Sequence, residues 1–153
     1  MAYFSHSGNT RVIANQIHES VGGEIFEIVA VDPYPRNYHE VVEQERKELR
    51  EGYRPKLETK VENMESLDVV FIGYPNWWDT IPMPVAAFLS GNDFSGKTIV
   101  PVCTNVGNRL GETLRISPSF ARNQPFWMVL QSGAETQKKL RRMRYTCGCM
   151  NLK

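Results

Sequence analysis

Continuous apolar runs alternate with amphipathic stretches along the chain. The runs 67–73 (LDVVFIG) and 98–103 (TIVPVC) are typical of strands that are buried on both faces of a parallel sheet. A first strand is predicted to end at Tyr3–Phe4, a second to span 25–31, and a last one to span 126–130.

Helices are predicted between these strands. One spans 11–21, where apolar residues recur at the spacing of a helix packed on a sheet. Others are predicted over 37–50, with Asn37 as the cap, over 82–89 and over 135–145. The apolar face of the first helix contains Val12, Ile13, Ile17 and Val21. Strands that alternate with helices predict an α/β fold, a doubly wound parallel sheet with helices on both faces.

In such a sheet a ligand binds outside the carboxyl ends of the strands, so the segments that follow the strands carry the functional information. The first segment offers hydroxyls, an amide, a glycine and the free N–H groups of a helix start, which favour a bound anion. It consists of Ser5, His6, Ser7, Gly8, Asn9 and Thr10. It holds neither Lys nor Arg, so hydrogen bonds and dipoles would bind the anion. A polar turn that caps the helix is the alternative.

The second segment, 74–80 (YPNWWDT), contains two adjacent tryptophans. An aromatic ligand stacked on one indole would explain their position beyond a strand. The alternative is an apolar plug against the following helix. At least one of the two indoles is expected to have that role, because adjacent side chains point in different directions.

The third segment follows the strand over 98–103. Its hydroxyl, amides and glycine could bind the polar edge of a planar ring, and an ordinary strand-to-helix turn is the alternative. It consists of Thr104, Asn105, Val106, Gly107 and Asn108.

Several functional motifs are absent from the sequence. No Gly-x-x-x-x-Gly-Lys-Ser/Thr sequence is present, which excludes a P-loop nucleotide hydrolase, and no three-glycine dinucleotide fingerprint occurs. Ser5-His6-Ser7 lacks the Gly-x-Ser-x-Gly elbow, and adjacent residues rarely reach the geometry of a nucleophile and its base. Cys147 and Cys149 could supply half a metal site, but no other Cys or His lies near them in sequence. We therefore predict no catalytic residue and no metal.

The composition indicates a globular protein, with 41% hydrophobic and 23% charged residues. The length suits one domain over 1–153. No stretch is apolar over the length that a bilayer requires, no secretory signal is visible, and three cysteines form a poor disulfide framework. A cytoplasmic location without a membrane partner is therefore expected.

Charge is distributed unevenly along the chain. Nine Lys/Arg and fifteen Asp/Glu occur through Thr104, but nine and two occur beyond it. A basic strip can bind nucleic acid, but the run from Lys138 to Arg144 has only Tyr145 beside it as a stacking aromatic residue. A solvated helix face is favoured, and no nucleic-acid partner is expected.

Four segments, in order, resemble a known family: AYFSHSGNT, DPYPRNYHEVVEQERKELREGYRP, GYPNWWDTIPMPVAAFL and DFSGKTIVPVCT. They are similar to flavodoxin-like proteins of the bacterial branch near flavodoxins and flavodoxin-type quinone reductases, over roughly 1–104. The resemblance implies a five-stranded parallel sheet of strand order 2-1-3-4-5. It also implies flavin mononucleotide (FMN) at the switch point between the first and third strands.

The resemblance further implies which residues bind the cofactor. The phosphate would be held by Ser5, Ser7, Asn9 and Thr10, with the backbone of His6 and Gly8. The isoalloxazine would be bordered by Pro75, Asn76, Trp77 and Trp78, with one Trp against a ring face. Its pyrimidine edge would be flanked by Thr104, Asn105, Val106, Gly107 and Asn108.

Two departures from the family pattern affect the expected chemistry. Asp79 stands where the family usually has Gly, and its carboxylate would disfavour a negatively charged reduced flavin. The sequence from about residue 105 is divergent, because the usual glycine- and serine-rich stretch is missing. Since the body is acidic and no cation is expected near the flavin, we predict a low reduction potential.

These features predict an FMN-binding electron-transfer protein that docks to redox partner proteins, as a monomer or homodimer. Two alternatives stay open. One is an NAD(P)H-dependent quinone or flavin reductase, which in this family needs no nicotinamide fingerprint. The other is a flavodoxin-fold module that has lost FMN, which the divergent third segment would explain.

Overall fold

A computed structural model describes residues 1–58 and 60–104 of the chain. Within them, four parallel strands form one sheet in the order β2-β1-β3-β4. The strands are β1 (Ala2–Tyr3), β2 (Phe26–Glu27), β3 (Val69–Pro75) and β4 (Thr98–Thr104). This order confirms the predicted arrangement of the first four strands. The strand and helix predicted over 126–130 and 135–145 lie outside the described residues.

The helices in the described part are α1 (Asn9–Val21), α2 (Tyr38–Glu51) and α3 (Met83–Gly91), with a 3₁₀ turn at Met64–Ser66. The side chain of Asn37 accepts hydrogen bonds from the N–H groups of His39 and Glu40, so Asn37 caps α2 as predicted. No helix among residues 1–58 and 60–104 combines the length and apolar character needed to cross a membrane.

Each face of the sheet carries its own apolar cluster, because alternate side chains of a strand point to opposite faces. On one face, Ile13 and Ile17 of α1 pack with Val102. On the other face, Phe88 of α3 packs in a larger cluster that includes Ile72. Helices therefore cover both faces, as the prediction of a doubly wound α/β fold requires.

The second strand is shorter than the predicted 25–31. β2 contains only Phe26–Glu27, and the chain beyond it forms an antiparallel contact with the segment that follows α2. The N–H of Val31 donates to the carbonyl of Lys56, and the N–H of Glu58 donates to the carbonyl of Val29. The N–H of Val31 and the carbonyl of Val29 are therefore satisfied outside the main sheet.

The buried face of α1 also differs from the prediction. Val12 and Val21 are exposed, whereas the buried residues are Thr10, Ile13, Ala14 and Ile17. The helix begins at Asn9, two residues before the predicted start, and Thr10 in its first turn points into the protein. The polar first segment therefore contributes to the core as well as to the surface.

Candidate functional site

The three segments predicted to bind a ligand meet at the carboxyl edge of the sheet. The hydroxyls of Thr10 and Thr104 lie 2.9 Å apart, and the N–H of Asn76 donates to the carbonyl of Thr104 at 2.8 Å. The rings of His6 and Trp77 are 6.1 Å apart between centroids. Thr104 and Pro75 are the last residues of β4 and β3 rather than loop residues. The remaining predicted residues of the third segment, Asn105, Val106, Gly107 and Asn108, lie outside the described residues.

The first segment presents unpaired backbone donors. Gly8 precedes α1 with φ of 90°, a left-handed conformation that glycine adopts readily. The hydroxyl of Ser5 accepts a hydrogen bond from the N–H of Arg11 at 3.2 Å. In the described part of the chain, the N–H groups of residues 7–10 have no hydrogen-bond partner. Ser7 and Asn9 are exposed beside them, so this loop can surround an anion with donors.

Two side chains of the same segment, those of Thr10 and His6, bond to other parts of the protein and do not point towards the anion site. Thr10 is only 1% exposed, and its hydroxyl is engaged with Thr104. In this arrangement Thr10 can offer a ligand only its backbone N–H. His6 donates from Nε2 to the carbonyl of Pro35 at 2.8 Å, which ties the loop to the segment before α2.

Trp77 is the packed member of the tryptophan pair. Its ring meets Phe4 at 5.2 Å and Tyr34 at 5.3 Å between centroids, both edge to face. It is partly buried against the larger apolar cluster. Since Phe4 immediately precedes the first segment, Trp77 links that segment to the second one. Trp77 therefore packs inside the protein through Phe4 and Tyr34, whereas the plug role was expected against the following helix.

Trp78 is the exposed member, with 47% of its surface accessible. Trp77 and Thr80 exchange hydrogen bonds of 3.1 and 2.9 Å, which close a two-residue turn. Trp78 and Asp79 occupy this turn with φ of 51° and 57°, both in the left-handed region that is costly for a residue other than glycine. The turn thus holds the Trp78 indole towards solvent.

A cation lies beside this exposed ring. The Cζ atom of Arg46, on α2, is 5.5 Å from the centroid of Trp78, within the range of a cation–π contact. The sequence analysis expected no cation near the flavin, and the structure brings Arg46 to the second segment. Arg46 and Trp78 are far apart in sequence, and only the packing of α2 over this edge brings them together.

Asn76 contributes an unsatisfied acceptor. Its Oδ1 atom is buried and has no hydrogen-bond partner in the described part of the chain. Buried polar atoms are almost always paired in folded proteins. A ligand that carries an N–H donor would satisfy this atom, so the second segment has the chemistry to bind the polar edge of a heterocycle.

Two buried carboxylates on α2 were not identified from the sequence, where the helix is simply rich in charge. Glu45 and Glu48 are 6% and 7% exposed. Glu48 accepts hydrogen bonds from the hydroxyl of Tyr34 and from Gln44. Burial, followed by the charge of Glu48, raises the pKa of Glu45 to about 8. The only signal in the sequence was the spacing of Val41, Glu45 and Glu48 on one side of the helix.

Glu45→Gln should change how stability depends on pH. Because the pKa of Glu45 is raised in the folded state from its ordinary value of 4.5 to about 8, the wild type loses stability as pH rises between these values. The variant should equal the wild type near pH 4.5, and at pH 8 its free energy of unfolding should be higher than that of the wild type by up to about 4 kcal/mol. Urea denaturation at several pH values measures this, with Glu43→Gln, an exposed position on the same helix, as the control. Parallel pH profiles for the wild type and Glu45→Gln would contradict the prediction.

Comparison with known proteins places these features in a family. A family model described as Flavodoxin matches residues 1–141. A candidate flavoprotein of Bacteroides eggerthii is 28% identical over 91% of this chain and 92% of its own, with a TM-score of 0.74. Another, of Bacteroides uniformis, is 26% identical over 93% and 96%, with a TM-score of 0.77.

A flavoprotein of Lactobacillus acidophilus, solved in complex with FMN, has the same fold at 16% identity. It matches over 90% of this chain and 94% of its own, with a TM-score of 0.72. A comparison with curated proteins gives no match.

Proposed function

Because the chain belongs to the flavodoxin family, we propose that it binds FMN non-covalently and transfers electrons through it between redox partner proteins. The flavin supplies the redox chemistry, and the protein supplies binding, orientation and electrostatics. The observation that carries the proposal is the meeting of two features at one sheet edge: unpaired N–H groups at a helix start, and an exposed indole. The FMN complex of the Lactobacillus acidophilus structure, which shares the fold, is consistent with it.

The described residues fit the two ends of FMN. The N–H groups of residues 7–10, with the hydroxyl of Ser7 and the amide of Asn9, would hold the phosphate at the positive end of α1. The exposed face of Trp78 would cover the ring, and Oδ1 of Asn76 would accept an N–H from it. Trp77 would act indirectly, because its contacts with Phe4 and Tyr34 hold the phosphate loop next to the ring site.

A charge placed in the phosphate loop tests this assignment. Ser7→Glu should weaken FMN binding about 100-fold, because a carboxylate would repel the phosphate. Riboflavin, which has the ring but no phosphate, should bind the variant and the wild type within about threefold. Quenching of flavin fluorescence measures both affinities. A carboxylate near a helix N-terminus also stabilises the helix, so unfolding would not explain the loss.

The matched control is Ser20→Glu, the same change near the other end of α1, where Ser20 is exposed. It should leave FMN affinity unchanged. Equal losses for FMN and riboflavin in Ser7→Glu would place the phosphate elsewhere. A wild-type chain that binds neither flavin would contradict the proposed function.

The reaction type has its own test. The FMN-loaded protein is mixed with NADPH under anaerobic conditions, and the visible absorbance is followed. For an electron carrier we expect slow reduction by NADPH alone and rapid reduction when a flavoprotein reductase is added. Rapid bleaching by NADPH alone would instead make the protein a reductase.

A further inference from the structure

The exposed ring of Trp78 has charges of opposite sign beside it. Arg46 lies over the ring, with Cζ 5.5 Å from its centroid, and Asp79 is the next residue of the turn. Both Arg46 and Asp79 are exposed at this edge. The electrostatic potential at a ligand that stacks on Trp78 therefore depends on both groups.

Within residues 1–58 and 60–104, no carboxylate forms an ion pair with Arg46. The ion pair found among residues 1–58 and 60–104 joins Arg11 to Glu27, so Arg46 has no such partner there. Of the other acidic residues of α2, Glu45 and Glu48 are buried, and Glu48 is bonded to Tyr34. The exposed Glu43 and Glu51 form no ion pair with Arg46. A guanidinium is weakly hydrated and planar, so it can remain against an aromatic face while keeping its charge.

We propose that Arg46 is the cation that makes the bound flavin easier to reduce and that it offsets Asp79, a role that rests on the proposed function above. A bound flavin that took up one electron without a proton would gain one negative charge. A cation held beside the ring favours that charge, and a carboxylate opposes it. Arg46 thereby raises the reduction potential of the bound flavin.

The geometry of the turn indicates that Trp78, rather than Trp77, is the ring on which the flavin would stack. The Trp77 ring is occupied by Phe4 and Tyr34, whereas Trp78 is held outward by a turn with positive φ at two residues other than glycine. Such backbone conformations persist where surrounding structure requires them and occur often at ligand sites. In the described part of the chain, Arg46 is the cation recorded over this ring.

The test is a spectroelectrochemical titration of the FMN-loaded full chain. In Arg46→Gln, the ratio of reduced to oxidised flavin at a fixed potential should fall roughly tenfold, or about 59 mV for a one-electron step. Arg46→Lys keeps the charge and should recover most of this shift. Asp79→Asn should move the potential in the opposite direction, and Arg50→Gln, an exposed position one turn further along α2, should not move it.

Affinity gives a second readout that needs no turnover. By thermodynamic linkage, Arg46→Gln should weaken the binding of reduced FMN roughly tenfold more than that of oxidised FMN. An unchanged or higher potential in Arg46→Gln, or equal shifts in Arg46→Gln and Arg46→Lys, would overturn the role of the charge. Those outcomes require intact FMN binding, so they differ from failure of the wild type to bind FMN, which would overturn the proposed function itself.

Discussion

Trp77→Ala is expected to lower the free energy of unfolding by about 3 kcal/mol and to weaken FMN binding at least about 100-fold. The indole packs edge to face against Phe4 and Tyr34 and is partly buried in the larger apolar cluster. Its removal would leave a cavity between the residue that precedes the phosphate loop and the turn that presents Trp78. Both ends of the cofactor site would then lose their common support.

The adjacent tryptophan provides the matched control. Trp78→Ala should change the free energy of unfolding by less than about 0.5 kcal/mol, because the indole is exposed. It should weaken FMN and riboflavin binding together, since both contain the ring. Urea denaturation followed by circular dichroism gives the stabilities, and flavin fluorescence gives the affinities. Similar stabilities for the two variants would show that Trp77 is not the packed member of the pair.

Gly73→Ala is expected to destabilise the protein by about 2–3 kcal/mol. A Cβ atom at Gly73 would lie 2.8 Å from Cε of Met1, 3.0 Å from Cβ of Tyr3 and 3.3 Å from Cγ2 of Thr10. The end of the Met1 side chain can move, but Tyr3 is paired directly with Gly73 across β1 and β3. Relief of the clash would require β1 to shift, and the phosphate loop follows directly from β1.

The control is Gly91→Ala, which adds the same methyl group in open space. A Cβ atom at Gly91, the last residue of α3, would meet nothing within 4 Å. Gly91→Ala should leave the protein unchanged or stabilise it by up to about 1 kcal/mol, because alanine reduces the freedom of the unfolded chain. Thermal or urea unfolding compares the two variants. Equal stability of Gly73→Ala and the wild type would mean that the sheet accommodates the extra methyl group without strain.

Much of the fold could be predicted from local patterns. The two continuous apolar runs became β3 and β4 because a strand buried on both faces needs apolar residues on both. Asn37 was identifiable as a helix cap because its side chain accepts hydrogen bonds from N–H groups only two and three residues ahead. The predicted second strand was too long, because residues 29–31 pair with the segment after α2. The local sequence does not show which segment they pair with.

The sequence by itself determined the alternation of strands and helices, the polar loop at the start of α1, and the two tryptophans beyond β3. These features depend on periodicity, caps and spacing within short windows of the chain. Only the tertiary structure decided that Trp77 packs and Trp78 is exposed, that Arg46 lies over Trp78, and that Glu45 is buried. The physical reason is that the contacts of Trp77 with Phe4 and Tyr34, and of Arg46 with Trp78, join residues about 30 or more positions apart. Short windows of sequence do not specify which distant partner a side chain meets.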